Sequence, residues 1–301
     1  MKPSRFVHYE PTSVDQAVMI LADVCEQDGR VLAGGQTLVP AMALRLARPA
    51  YLVDINRIEA LRRLDIRDGR LHIGACVRHA DFHLAPEPGP LGRLLATVVR
   101  HIAHLPIRTR GTFCGSLANA DPASEWCLVA ATLDAVMEAR SLRGTRHIDA
   151  NDFFHGYMAT ALAPDELLVS ASLPVLPAET RVGFHEFSRR AGDFAQAMAL
   201  AAYEVRDGVM CNVRIGLGGV EDRPRRMPAA QACLEGEAPD METYARAAEA
   251  AAMEAEPTDS GDDERAYRRD LVRAVVRRAL AQTHDAGRAG TAEHVHGRGY
   301  R

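Results

Sequence analysis

Two stretches of this sequence carry the small residues that let a backbone close on a ligand. Residues 33–40 read AGGQTLVP, and residues 112–121 read TFCGSLANAD. Each offers several N–H groups, hydroxyls at Thr37, Thr112 and Ser116, and little side-chain bulk. Turn-borne N–H groups of this kind form concavities that hold anions, and glycine lets a diphosphate approach the main chain. Neither stretch is a common phosphate motif. A Walker loop needs GxxxxGK followed by Ser or Thr, and no lysine follows Gly34 and Gly35. A dinucleotide fingerprint needs GxGxxG, and the third glycine is missing. Hydroxyl and backbone donors replace the Walker lysine where the ligand is a diphosphate with no phosphoryl group to transfer. Two tight turns without a ligand are the plainer alternative.

Other chemistry is weakly supported. His79 and His83 are spaced i,i+4 on an expected helix, and His101 and His104 are spaced i,i+3. Neither pair has the glutamate of HExxH or a third ligand beside it, so no metal site is expected. Ser116 and Ser124 lack the GxSxG elbow of a hydrolase. Cys114 reads as a small side chain near a ligand rather than a reactive thiol. The six cysteines are scattered with no CxxC pair, which argues against structural zinc, a locally encoded iron–sulfur cluster and a disulfide framework. Reduced thiols in a cytoplasm are the simplest reading. A net charge of −4 with acids and bases interspersed gives no footprint for nucleic acid. No apolar run approaches the roughly 20 residues of a membrane span, and MKPSRFVHYEP shows no secretory h-region.

The elements that must position the two stretches are visible in the pattern. FVHYE (6–10) is an expected strand, and a helix follows with Ser13 as N-cap and Gln16 at N3. RVLA (30–33) is the next strand, so the first glycine loop lies between it and a helix over Leu38–Leu46. YLVDI (51–55) reads as a buried strand. RRLDIRDGRLHIGA (62–75) reads as a hairpin turning at Asp68-Gly69. A helical stretch over Leu91–Ala103 precedes residues 106–121, read as a long ordered loop of functional type. A helix (Ala123–Leu133), a hairpin (135–149), a short DFF turn and the strand LLVSASLP (167–174) complete the first part. After Pro174 and Pro177 the texture changes to strands at 184–190, 197–205 and 209–220, then helices at 228–235, 240–254 and from Glu264 to about Gln282. Domains are expected at 1–177, with subdomains of about 1–57 and 58–177, and at 178–286; residues 287–301 are expected to form a mobile tail.

AGGQTLVPAMALRL, YLVDINRI, IRTRGTFCGSLANADPASE and FHEFSRRAGDFA occur in this order over nearly the whole chain. The pattern resembles the FAD-binding medium subunit of molybdenum hydroxylases such as aerobic carbon monoxide dehydrogenase, and is similar to the flavin domain of xanthine dehydrogenase. The resemblance implies an α+β fold. Its first part is the two-subdomain FAD-binding fold of the p-cresol methylhydroxylase and vanillyl-alcohol oxidase type. A small α+β C-terminal domain of antiparallel sheet plus helices follows. It also implies that Ala33, Gly34, Gly35, Gln36 and Thr37 wrap the FAD diphosphate and that Thr112, Phe113, Cys114, Gly115 and Ser116 line the cofactor. Glu125 matches an acidic position that contacts the cofactor, and Ile102 and Leu168 match apolar positions near the isoalloxazine. The chain departs from the family pattern in three places. Cys114-Gly115 stands where two glycines are usual, Thr37 stands where serine is common, and His185 stands where xanthine dehydrogenase relatives carry a lysine near the flavin.

The implied role is electron transfer with no catalytic residue of its own. A large molybdopterin-binding subunit would hydroxylate the substrate, and [2Fe-2S] clusters of a small subunit would pass electrons to FAD here and on to an external acceptor. The assembly would be a dimer of heterotrimers. Carbon monoxide, purines, N-heterocycles and aldehydes stay open as substrates, and NAD, oxygen and quinone as acceptors. A self-contained FAD oxidoreductase of the same fold and a non-catalytic nucleotide-binding assembly protein are the alternatives.

Overall fold

The computed structural model describes residues 2–292 of the chain. Strands β1 (Val7–Tyr9), β2 (Gly29–Leu32) and β3 (Tyr51–Asp54) form a parallel sheet in the order β1-β3-β2. Helix α1 (Val14–Val24) crosses between β1 and β2, and α2 (Leu38–Ala43) follows β2. The start of α1 follows from its cap: Ser13 accepts the Gln16 N–H at 3.2 Å, while the Gln16 side chain accepts the Thr12 N–H at 3.0 Å. Its reciprocal bond thus lands one residue earlier than in the ideal capping box. Ala17, Val18, Leu21 and Val24 recur at helical spacing and are buried.

β4 (Leu64–Arg67) and β5 (Arg70–Gly74) make a hairpin whose turn residues Asp68 and Gly69 both have positive φ, 50° and 70°. That is the twist a two-residue hairpin turn requires. Helices α3 (Pro90–Val98), α4 (Leu105–Arg108), α5 (Phe113–Asn119) and α6 (Glu125–Thr132) come next. They are followed by β6 (Val136–Ser141), β7 (Gly144–Asp149), α7 (Ala150–Phe153), β8 (Phe154–Gly156), β9 (Ala159–Thr160) and β10 (Leu167–Pro174). An antiparallel sheet runs β4-β5-β10-β6-β7, and β8-β9 is a separate ribbon.

The last part pairs β11 (Arg181–Phe187), β12 (Ala197–Arg206), β13 (Val209–Gly218) and β14 (Arg225–Arg226) in antiparallel order. Helices α8 (Pro228–Ala232), α9 (Met241–Glu254) and α10 (Asp262–Ala292) follow. β12 has no solvent face through most of its length. Met198, Leu200 and Ala202 join the core of the first part, while Ala197, Ala199, Ala201 and Tyr203 join a second core with α9 and α10. Alternation along a strand sends successive side chains to opposite faces, so one strand serves both cores.

Several expectations need correction. Residues 106–121 are not a long loop but hold α4 and α5, because Phe113, Cys114 and Leu117 form a buried stripe behind the Thr112 cap. Asp152 and Phe153 of the expected DFF turn end the short helix α7, and Phe154 opens β8. Residues His79–His83 form a 3₁₀ segment, in which i and i+3 eclipse, so the i,i+4 pair does not share a face. α3 stops at Val98, short of Ala103, and α10 runs on to Ala292 through part of the expected tail. The remainder of that tail, 293–301, lies outside the described residues.

In the second core the buried Tyr203 hydroxyl lies 2.7 Å from that of Tyr244 and 2.6 Å from Thr283 Oγ1. Tyr203→Phe removes the shared hydroxyl and strands that of Tyr244. The expected cost is about 1–3 kcal/mol, read as a lower unfolding free energy in denaturant. An unchanged midpoint would mean that the three hydroxyls contribute nothing to stability.

Candidate functional site

The first glycine loop opens where β2 ends, at the carboxyl edge of the parallel sheet. Gly35 has φ +72°, a conformation that favours glycine. A Cβ on Gly34 would strike the Arg110 carbonyl oxygen and come within 2.6 Å of Gly111 Cα, so this loop lies directly on the second one. Gln36 Nε2 donates to the Gly34 carbonyl at 3.2 Å, and the Val39 N–H donates to that of Gly35 at 2.9 Å. Among the described residues, the N–H groups of Gly34, Gly35, Gln36, Thr37 and Leu38 donate to no protein acceptor. A run of unspent donors with no side chain across it is a built receptor for an anion.

A relay of polar side chains holds the two loops together. Asn56, just beyond β3, donates from Nδ2 to the Ala33 carbonyl at 2.7 Å and is itself oriented by Asp54. Arg78 donates from Nη2 to Asn56 Oδ1 at 2.5 Å and from Nη1 to the Arg110 carbonyl. Burial pulls the Arg78 guanidinium below its ordinary value, with Arg110 and Arg62 adding to the effect. The main chain adds a bridge between Arg78 and Thr112, flanked by His79 N–H to Gly111 O at 2.9 Å and Phe113 N–H to Val77 O at 3.1 Å. His79 is buried, and its Nδ1 accepts the Trp126 Nε1–H at 2.9 Å. Burial, helped by Arg78 and Arg108, lowers its imidazole to about 3, so it is neutral. Its ring lies against Gly111, where a Cβ would sit 2.5 Å from Nε2.

The structure sorts the sequence-derived residues by what each exposes. Ala33, Gly34, Gly35 and Gln36 are half-buried and Thr37 is exposed, all on the first loop. Thr112 caps α5, its Oγ1 accepting the Gly115 N–H at 3.0 Å. The N–H groups of Thr112 and Cys114 have no acceptor among the described residues. Phe113 turns its side chain into an aromatic cluster, with ring centroids 5.7 Å from Phe82 and 5.0 Å from Trp126. Cys114 is likewise core, its Sγ 3.5 Å from the Ile73 carbonyl, and burial pushes the thiol up. These two residues therefore present backbone alone. Ser116 is half-buried, and its carbonyl accepts from Cys127 Sγ at 3.3 Å. Ile102 and Leu168 are buried members of the first core. His185 faces α10, with Nε2 3.3 Å from Arg278 Nη1, and is lowered by burial and then by Arg278.

Glu125, the first residue of α6, is buried, and its carboxyl is pushed up to about 7 by burial, with Asp121 adding to it. Glu186 on β11 was not singled out from the sequence. Its carboxyl is pushed up to about 8 by burial and by the charge of Glu125. His101 Nδ1 lies 3.8 Å from Glu186 Oε2, and burial lowers that imidazole. A raised acid facing a lowered base is a neutral contact at neutral pH rather than an ion pair. Asn56, Arg78, His79 and Glu186 all act through partners distant in sequence. Only the quoted motifs YLVDINRI and FHEFSRR hinted at the first and last.

The sign of the pH dependence follows from these shifts. Both carboxyls bind protons more tightly folded than at the ordinary value of 4.5. Their contribution to stability is therefore complete below about 4.5 and is lost as pH rises through about 7 and about 8. Unfolding free energy should fall between about pH 5 and about pH 8 more steeply in the wild type than in the Glu125→Gln/Glu186→Gln double variant. Parallel curves would show that the two carboxyls titrate normally.

Comparison with known proteins places this geometry in a family. Residues 4–176 match the FAD binding domain in molybdopterin dehydrogenase, and residues 183–283 match the CO dehydrogenase flavoprotein C-terminal domain. The nicotine 6-hydroxylase medium subunit of Paenarthrobacter nicotinovorans is 34% identical over 282 residues, covering 94% of this chain and 98% of that one. Quinoline 2-oxidoreductase from Pseudomonas putida 86 superposes with a TM-score of 0.87 at 36% identity, over 95% of this chain and 99% of the other. Carbon monoxide dehydrogenase from Hydrogenophaga pseudoflava gives 0.88 at 32% identity, over the same shares. The chain belongs to the FAD-binding medium-subunit family of the molybdenum-hydroxylase dehydrogenases, an oxidoreductase family of α+β fold.

Proposed function

We propose that this chain is the electron-transfer subunit of a heterotrimeric molybdenum hydroxylase. It holds FAD, receives electrons from the [2Fe-2S] clusters of a small subunit and passes them to an external acceptor. Substrate is hydroxylated on a separate molybdopterin-binding large subunit, and two heterotrimers pair. The unspent N–H groups from Gly34 to Leu38, laid against the second loop, carry the reading, because they fit a diphosphate with no bulk in the way. When bound, FAD supplies the exchange between paired and single electrons.

In this reading the amides of residues 34–38, with those of Thr112 and Cys114, hold the diphosphate, and Asn56 and Arg78 keep the two loops in contact. Ile102 and Leu168 exclude water from the ring, and Glu125 provides the polar contact beside it. Ser116 and Gly115 shape the second loop, while His185, turned to Arg278, stays a neutral acceptor. The flavin domain spans 1–177 with subdomains at about 1–57 and 58–177, and the C-terminal domain spans 178–286. The scattered cysteines fit clusters carried on another chain. Among the described residues no helix is long and apolar enough to cross a membrane.

Two measurements test this. Purified from its source, the chain should arrive with larger and smaller partners carrying molybdenum and iron. A monomer that turns over substrate alone would remove the proposal. Gly34→Val should lower retained FAD about tenfold or more, a loss of roughly 1.4 kcal/mol of binding per factor of ten. The added Cβ would drive the first loop off Arg110 and Gly111. Gly115→Val should act similarly, since its Cβ would sit 2.6 Å from Thr112 Oγ1 and displace the cap. Full flavin content in both variants would place the cofactor elsewhere.

A further inference from the structure

Glu186 and Phe184 occupy the face of β11 turned toward the first domain, since Phe184 belongs to that core while Phe187 packs on the other. The Glu186 side chain is only 3% exposed, and its Oε2 has no hydrogen-bond partner. A buried carboxylate oxygen without a donor is expensive, so the position calls for a proton or a ligand donor. His101, whose ring meets Phe184 edge-on at 5.0 Å, comes nearest at 3.8 Å and is 37% exposed in its side chain.

The surrounding charges are few. The turn after α3 contributes His101, α4 contributes Arg108, which donates to the Arg100, Ile102 and Ala103 carbonyls of that turn, and α6 with the turn before it contributes Glu125 and Asp121. The neighbouring strand places Met198 in register with Glu186. From α10, Arg278 meets His185 on the opposite face of β11. Among the described residues neither Glu125 nor Glu186 is paired with an arginine or lysine.

We propose that Glu125 and Glu186 act as one proton-accepting pair that takes up a proton when the flavin beside them is reduced, with His101 linking the pair to solvent. This rests on the reading that places FAD against Glu125 and Ile102. The electrons come from the iron–sulfur clusters of the partner subunit and go to the flavin. The proton comes from water by way of His101, and one O–H bond forms on a carboxylate of the pair. When the external acceptor takes the electrons, that O–H bond breaks and the proton returns to water. The physical cause is like-charge coupling: negative charge arriving on the flavin raises the proton affinity of a nearby carboxylate. The pair is poised for this near neutrality, at about 7 and about 8, so that a modest change in field alters its occupancy.

The test uses the FAD-loaded complex at about pH 8, where Glu186 is partly ionised, reduced in weak buffer with a pH indicator, as wild type and as Glu186→Gln. The variant should take up fewer protons per flavin, by up to one. Its flavin potential plotted against pH should lose the bend that the wild type shows between about pH 6 and about pH 9. Equal uptake and superposable plots would overturn the proposal while leaving FAD binding intact. A reduced-minus-oxidised infrared spectrum of the wild type gives a check that needs no variant. A protonated-carboxyl C=O band should grow on reduction, and its absence would overturn the proposal. A complex that carries no FAD at all would overturn this proposal and the functional reading together.

Discussion

The contact between two main chains, Gly34 against Arg110 and Gly111, is the constraint on which the site depends. Backbones this close turn carbonyls into a space that water cannot serve, and each must find a donor. Asn56 supplies one for Ala33 and Arg78 supplies one for Arg110, with Arg78 also orienting Asn56. A guanidinium fork suits the task because it serves two acceptors in fixed directions at once. The outward consequence follows from the trans peptide, in which C=O and the next N–H point opposite ways. Fixing the Ala33 carbonyl inward on Asn56 turns the Gly34 N–H outward. The Gln36 side chain does the same for the Gly35 N–H by holding the Gly34 carbonyl. The receptor for an anion is therefore made by satisfying the carbonyls behind it.

The second loop needs a different support, because the helix it leads into, α5, is held by buried side chains. α5 is anchored by Phe113 in the cluster with Phe82 and Trp126, and Trp126 is fixed through its bond to the neutral His79. Cys114 follows from the same requirement. It packs against β5 where a small apolar group fits, and its buried thiol stays protonated and chemically quiet. A glycine would serve the ligand side equally well, since only the Cys114 amide faces it. The cysteine belongs to the core.

What could be read from the sequence was what local chemistry decides. The Ser13 cap, the Asp68-Gly69 turn and the strand β12 each announce themselves within a few residues. Residues 113–119 misled because Gly, Ser and Asn weigh against a helix, whereas burial of Phe113, Cys114 and Leu117 outweighs propensity. The glycine loops pointed to an anion but not to FAD, which came from the order of four motifs along the chain. Asn56, Arg78 and Glu186 stayed hidden for one reason. Each takes its meaning from a partner that only the folded chain brings near.

Strand parity shows how fine that dependence is. His185 and Glu186 are adjacent in the motif FHEFSRR, and the departure from a lysine drew notice to His185. In the fold His185 meets Arg278 on α10, and Glu186 turns the other way, toward His101 and Glu125. A shift of one residue along β11 would exchange them, placing an imidazole beside Glu125 and a carboxylate beside Arg278. That arrangement would pair both charges, each acid with a base. The observed register does the reverse, bringing Glu186 to the side of Glu125, and among the described residues neither carboxyl is paired with an arginine or lysine. Such a pair cannot be explained as a stabilising contact, because burying a second carboxyl beside the first raises the cost of charging either. Stability alone would favour an apolar residue at position 186, so the carboxyl is better understood through what its proton can do.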